Sequence, residues 1–281
     1  MTTLIVSPDY VSHYNPLSVL ARVAAGAGRR VVVATGPGLR ARVEAEGHGW
    51  RHLPLGPASN SGVAGDDPAI REFLAATAAG PLATIRHQAE KRERDLLWQP
   101  ERIATEMAAI VERLDPDHIV VDHVSFAATL GAYATGRPFT TLVPGHPSQL
   151  PVGSERYGVP PTWPSAMGHD EDQLADVHRI ADRVTAAFTE RWNRALAASG
   201  SARPPVDDAF RVHGDRVLYN SIAELTDADR VALLPPNSRF VGPLVRRQAL
   251  DDEFAGWQEP DRATGEVTGP GRAMGRPQVY V

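Results

Sequence analysis

The sequence has no cysteine, and among its 29 basic residues only one, Lys91, is a lysine. Without thiols, disulfides, thiolate nucleophiles and cysteine metal ligands are excluded, and a reducing compartment is expected. Positive charge is in the minority: the formal net charge of −5 argues against nucleic acid as a partner, which would call for a broad basic face. No apolar run approaches the ~18 residues of a membrane-spanning helix. The opening "MTTLIVSPDY" lacks a basic region followed by an apolar stretch and a small-residue cleavage site, so a cytoplasmic protein without a membrane span is expected. Glycine is missing at one telling place. The turn "SPDYVSHYNP" carries His13 where a dinucleotide-binding unit would place glycines. A backbone without them cannot approach a pyrophosphate closely, so this turn handles something other than phosphate.

What is present describes an α/β protein. With 281 residues, 42% of them apolar, the chain can fill the core of one large α/β domain or two small ones. Strand-length apolar runs alternate with helical patterns: "TLIVS", a helix over residues 16–28, "RRVVVAT", a helix over 39–46, then "WRHLPL". This βαβαβ order predicts a doubly wound, Rossmann-like parallel sheet. Residues 56–68 are rich in Gly, Ser, Asn and Pro and read as a loop, followed by helices over 68–94 and 99–114 that Pro81 and Pro100 start or break. The alternation resumes with a strand ending at Asp122, a helix, and a strand ending near Val143. A long loop over the sheet edge is expected at 144–168, a very long helix at 170–199, and two short strands at "RVLYNS" and "RFVGP". Residues 1–245 are read as one domain. Residues 246–276, polar and broken by Gly and Pro, read as a linker or disordered tail. The final 277–281, "PQVYV", reads as the first strand of a C-terminal domain of which the rest is absent from the sequence.

His13 follows the carboxyl end of the first strand, just before the expected helix, and Asp122 ends another strand. Open α/β sheets place their ligand crevice at such ends. If the two strands are neighbours, the side chains meet, and a histidine oriented by a carboxylate is a general base. Each residue also has a plainer reading. The histidine can bond the backbone of its turn, and an aspartate after a strand often caps the next helix.

The stretches "SHYNPLSVLARVAAGAGRRVVVATG", "PDHIVVDHVSF" and "SRFVGPL" resemble the N-terminal, acceptor-binding half of GT-B glycosyltransferases, in the family that includes plant flavonoid and bacterial macrolide and other antibiotic enzymes. The resemblance covers residues 1 to about 245, and "RPQVYV" resembles the opening strand of that family's C-terminal, donor-binding domain. It implies that His13 is the base that deprotonates an acceptor hydroxyl and that Asp122 orients it. It further implies an inverting transfer of a sugar from a nucleotide donor to a hydrophobic natural product. Ser12 departs from the pattern, in which glycine often precedes the histidine.

The resemblance also accounts for the missing glycines, because in this family the donor's diphosphate is held mainly by the C-terminal domain. No cofactor and no metal is expected. A UDP- or TDP-sugar is the expected co-substrate of the complete enzyme, reached through the C-terminal domain, and the chain alone is expected to be inactive. A hydrophobic small molecule is the other expected partner, and a homodimer is one assembly open to the chain. Loops with aromatic and apolar side chains grip such acceptors, which makes His146, Tyr157 and Trp163 of "PGHPSQLPVGSERYGVPPTWP", with Trp98, the candidate substrate contacts. Each aromatic can equally anchor its own loop. The alternative function is a non-catalytic acceptor-binding or auxiliary module without a donor site. A nucleotide-binding protein of another kind is disfavoured, since G-x-G-x-x-G and the P-loop are both absent.

Overall fold

Side chains of a strand alternate between two faces, and here that alternation sorts the strands into two cores. The computed structural model describes residues 1–56, 68–163 and 170–245, which belong to one compact unit, Met1–Val245. The linker and terminal strand expected at 246–281, and most of the loop expected at 56–68, lie outside the described residues. In β1 (Thr2–Val6), Leu4 and Val6 face one way and Ile5 the other, all fully buried. β2 (Arg30–Thr35) repeats this with Val32 and Ala34 against Val31 and Val33. Strands buried on both faces are the signature of a parallel sheet covered by helices on each side.

The further strands are β3 (Gly49–His52), β4 (His118–Asp122), β5 (Thr140–Val143), β6 (Arg216–Tyr219) and β7 (Ser238–Phe240). Among the described residues they form one seven-stranded sheet, all parallel, in the order β3-β2-β1-β4-β5-β6-β7. The chain starts in the middle and winds first one way, then the other. The order reverses between β1 and β4, where such sheets open a crevice at their carboxyl ends.

α1 (Val11–Gly26) and α2 (Arg40–Ala45) cover the Ile5 face through Tyr14, Leu17, Ala21 and Val43. The other face is covered by α5 (Pro100–Leu114), α6 (Phe126–Ala134) and α7 (Glu171–Ala198), which contribute Met107, Phe126, Phe188 and Trp192. Between β3 and α5 lie α3 (Pro68–Ala78) and α4 (Pro81–Leu96), separated at Gly80, whose φ of +112° suits glycine alone, and at Pro81, which starts α4. α8 (Ala228–Leu233) precedes β7. Asp170 caps α7 by accepting from the N–H groups of Asp172 and Gln173 at 2.8 and 3.1 Å, which explains how a 28-residue helix starts cleanly there.

Three sequence expectations need correction. Pro16 does not open α1: the helix begins five residues earlier, at Val11, so His13 lies in its first turn rather than before it. Proline favours a helix start, yet it is tolerated further in when the turn before it is held by other contacts, here the N–H groups of His13 and Tyr14 donating to the Tyr10 carbonyl at 3.1 and 3.0 Å. β3 ends at His52, short of the "LPL" that follows, because Pro54 cannot continue a ladder. The segment after Val143 leaves an interior strand and covers the carboxyl end of the sheet rather than its lateral edge.

Candidate functional site

β1 and β4 are hydrogen-bonded neighbours, with Val6 opposite Val121, so the residues that follow them share one rim. α1 brings His13 back over that rim, and β4 ends on Asp122. The Nδ1–H of His13 donates to Asp122 Oδ2 at 3.0 Å. The carboxylate can only accept, which assigns the proton to Nδ1 and leaves Nε2 as the basic nitrogen. Asp122 is wholly buried, while the His13 side chain is 24% exposed. Burial is the largest influence on His13 and pushes its pKa down. The hydrogen bond to Asp122 and the carboxylate's charge together outweigh it, so the pKa stands above the ordinary histidine value.

The plainer reading of Asp122 is partly met as well. Asp122 Oδ1 accepts from the Val124 N–H at 3.0 Å, so the carboxylate shapes the turn into α6 and holds His13 at once. Its neighbour His123 is buried, and its Nε2–H donates to the Gln149 carbonyl at 2.6 Å. Burial pushes the His123 pKa down to about 4, against that hydrogen bond and the charge of Asp122. His123 therefore stays neutral and ties the end of β4 to the loop after β5. Its burial was not legible in the sequence.

Three of the four expected substrate contacts line one of two openings at the carboxyl end. Exposed His146 and half-buried Tyr157 line a cavity of about 490 Å³ together with Ile85, Ser148, Gln149 and Val159. Ser148 gives its backbone N–H to His146 Nδ1 at 3.2 Å, so the neutral ring carries its proton on Nε2, the reverse of His13. Tyr157 also stacks on Phe210 with centroids 4.3 Å apart, which makes it an anchor of the loop as well as a wall of the cavity. Trp163 is half-buried at the end of the described loop and does not line that cavity. Trp98 sits apart from these three. It lines a smaller cleft, about 190 Å³, at the ends of β1, β2 and β3, and packs on the main core with the Arg102 guanidinium 5.1 Å from its ring. His13 lines neither opening, although Tyr10 of the smaller cleft has its ring 6.0 Å from the imidazole.

The loop that shapes the larger cavity is held from behind by arginines that sequence reasoning missed. Buried Arg230 of α8 pairs with Glu155 at 2.7 and 3.0 Å and donates to the carbonyls of Pro147 and Leu150 at 3.0 and 2.9 Å. Arg211 donates to the carbonyls of Gly153 and Glu155 at 3.0 and 2.8 Å. These partners are 56 to 83 residues apart in the chain, so no local signal announces them.

No protein-family model and no curated protein matches the chain. Solved glycosyltransferase structures match its fold. The glycotransferase of kitacinnamycin is 19% identical with a TM-score of 0.55, the match covering 92% of this chain and 55% of that one. Spinosyn rhamnosyltransferase SpnG, complexed with thymidine diphosphate, is 15% identical with a TM-score of 0.52, over 92% of this chain and 54% of that one. The calicheamicin glycosyltransferase CalG4 is 16% identical with a TM-score of 0.53, over 94% and 54%. The chain thus spans about half the length of the structures it matches, and its Rossmann-like parallel sheet is that of an N-terminal half of the GT-B fold.

Proposed function

We propose that this chain is the acceptor-binding half of an inverting glycosyltransferase that moves a sugar from a UDP- or TDP-sugar to a hydroxyl of a hydrophobic small molecule. One observation carries the reading: the 3.0 Å contact of His13 with buried Asp122, at the point where the strand order reverses. An acceptor hydroxyl placed against Nε2 of His13 loses its proton to that nitrogen as its oxygen bonds to the anomeric carbon. The bond from that carbon to the donor's diphosphate breaks with its electron pair going to the diphosphate. Asp122 fixes the tautomer and stabilises the imidazolium, while the fixed geometry lowers the entropic cost of the encounter. The cavity beside His146 and Tyr157 has the size and mixed lining of a site for a drug-sized acceptor. The nucleotide is assigned to the partner half of the fold, in keeping with the glycine-free first turn.

The test is a transfer assay on the longest protein containing these residues, with UDP- and TDP-sugars and a panel of apolar hydroxylated acceptors. The expected result is a glycoside of inverted anomeric configuration, made by the wild type and lost in His13→Ala. Glycoside formed by His13→Ala at the wild-type rate overturns the assignment.

A further inference from the structure

The smaller cleft contains a carboxylate that the proposed transfer does not use. Asp9 lies in the β1–α1 turn, and the end of β2 is shaped to receive it: a Cβ on Gly36 would sit 2.5 Å from Asp9 Oδ2. With no side chain there, Oδ2 accepts from the Gly38 N–H at 2.9 Å. Oδ1 is buried and has no hydrogen-bond partner among the described residues, and no described cation pairs with Asp9. Arg102, whose guanidinium lies 5.1 Å from the Trp98 ring of this cleft, is itself paired with Glu106 at 3.3 Å. The remaining walls include Tyr10, His52, Pro54, Leu55 and Trp98. An ionised oxygen taken from water without a donor is costly, and a ligand that brings both a donor and a positive charge relieves it best.

We infer that this cleft binds the protonated amine of a small-molecule ligand, with Asp9 as its counter-ion and Tyr10 and Trp98 against its alkyl groups. The cleft, at about 190 Å³, is below the ~300 Å³ of a complete small-molecule site, so it takes a head group rather than a whole aglycone. Its nearness to His13 through Tyr10 makes the ligand an acceptor with a basic amine at one end and the reacting hydroxyl at the other. That last step rests on the transfer reading; binding of the amine itself does not.

The probes are N,N-dimethylbenzylamine and its neutral isostere isobutylbenzene, titrated into the 281-residue chain and followed by saturation-transfer and amide-shift NMR. The amine is expected to bind roughly tenfold or more tightly than the isostere, the scale of a charge-assisted contact, and to shift the Tyr10 and Gly38 amides. Asp9→Asn keeps an oxygen for Gly38, and should weaken the amine roughly tenfold while leaving the isostere unchanged. Equal affinity of the two probes, an unchanged amine affinity in Asp9→Asn, or shifts confined to the His146–Tyr157 cavity would each overturn the inference. Amine binding without any transfer in the assay above would count against the transfer reading alone, and transfer without amine binding against the cleft alone.

Discussion

His13 and Asp122 are 109 residues apart in the chain and 3.0 Å apart in the fold. The contact exists because β1 and β4 pair in parallel and both strands end at the same rim. Its energetic mark is the raised His13 pKa, since burial alone would lower it.

Asp122→Asn is therefore expected to drop the His13 pKa below the ordinary histidine value, because burial then acts unopposed. Titration of the His13 Cε1–H resonance by NMR checks it, and a pKa unchanged from wild type would show that the carboxylate is not the cause. On the proposed reading, His13→Ala should lower the rate in the transfer assay roughly a hundredfold or more, the scale of a lost general base.

Two histidines give stability opposite pH dependences. His123 is held neutral down to about pH 4, while in the unfolded chain it takes a proton near 6.5. Between those values the unfolded state binds more protons, so stability falls as the pH falls, by about 3 kcal/mol across the window. His13 has a raised folded pKa, so its contribution is complete below 6.5 and is lost as the pH rises from there through the raised folded value. Urea denaturation of wild type and His123→Gln at pH 7 and pH 4.5 separates them. Glutamine keeps a donor for the Gln149 carbonyl but takes no proton, so the variant should lose less stability on acidification.

Arg230→Leu should be severe. It leaves the largely buried Glu155 carboxylate without its cation, with only the Val152 N–H still donating to it, and takes the Arg230 donor from the carbonyls of Pro147 and Leu150, at a cost of roughly 3–5 kcal/mol. The double variant Arg230→Leu, Glu155→Leu should recover part of that loss in thermal unfolding. A single variant as stable as wild type would mean that water reaches these groups.

Gly131→Ala tests the contact of α5 with α6. A Cβ at this position would meet Met107 Cβ at 2.7 Å and the Ala104 carbonyl at 3.0 Å. Overpacking of this kind costs about 1–3 kcal/mol, more than the helix propensity of alanine returns. An increase in stability would show that α6 can move away from α5 at little cost.

The sequence by itself determined the α/β alternation, the parallel sheet and the cap of α7, because each depends on local periodicity or on one residue's own bonding. "VVVA" and "LIV" are apolar on both faces of a strand wherever the chain runs, and Asp170 caps the helix that follows it. The sequence also marked His13 and Asp122 as strand-end residues. Only the tertiary structure decided that β1 and β4 are neighbours, which turns two strand-end residues into a hydrogen-bonded pair. The same holds for the start of α1 at Val11, where turn contacts override the preference of Pro16. Tertiary packing likewise separated Trp98 from His146 and Tyr157, buried His123, and set Arg230 behind the loop at Glu155. Burial and long-range charge pairing depend on which segments meet, and a linear sequence carries no signal for a contact between residues 75 apart.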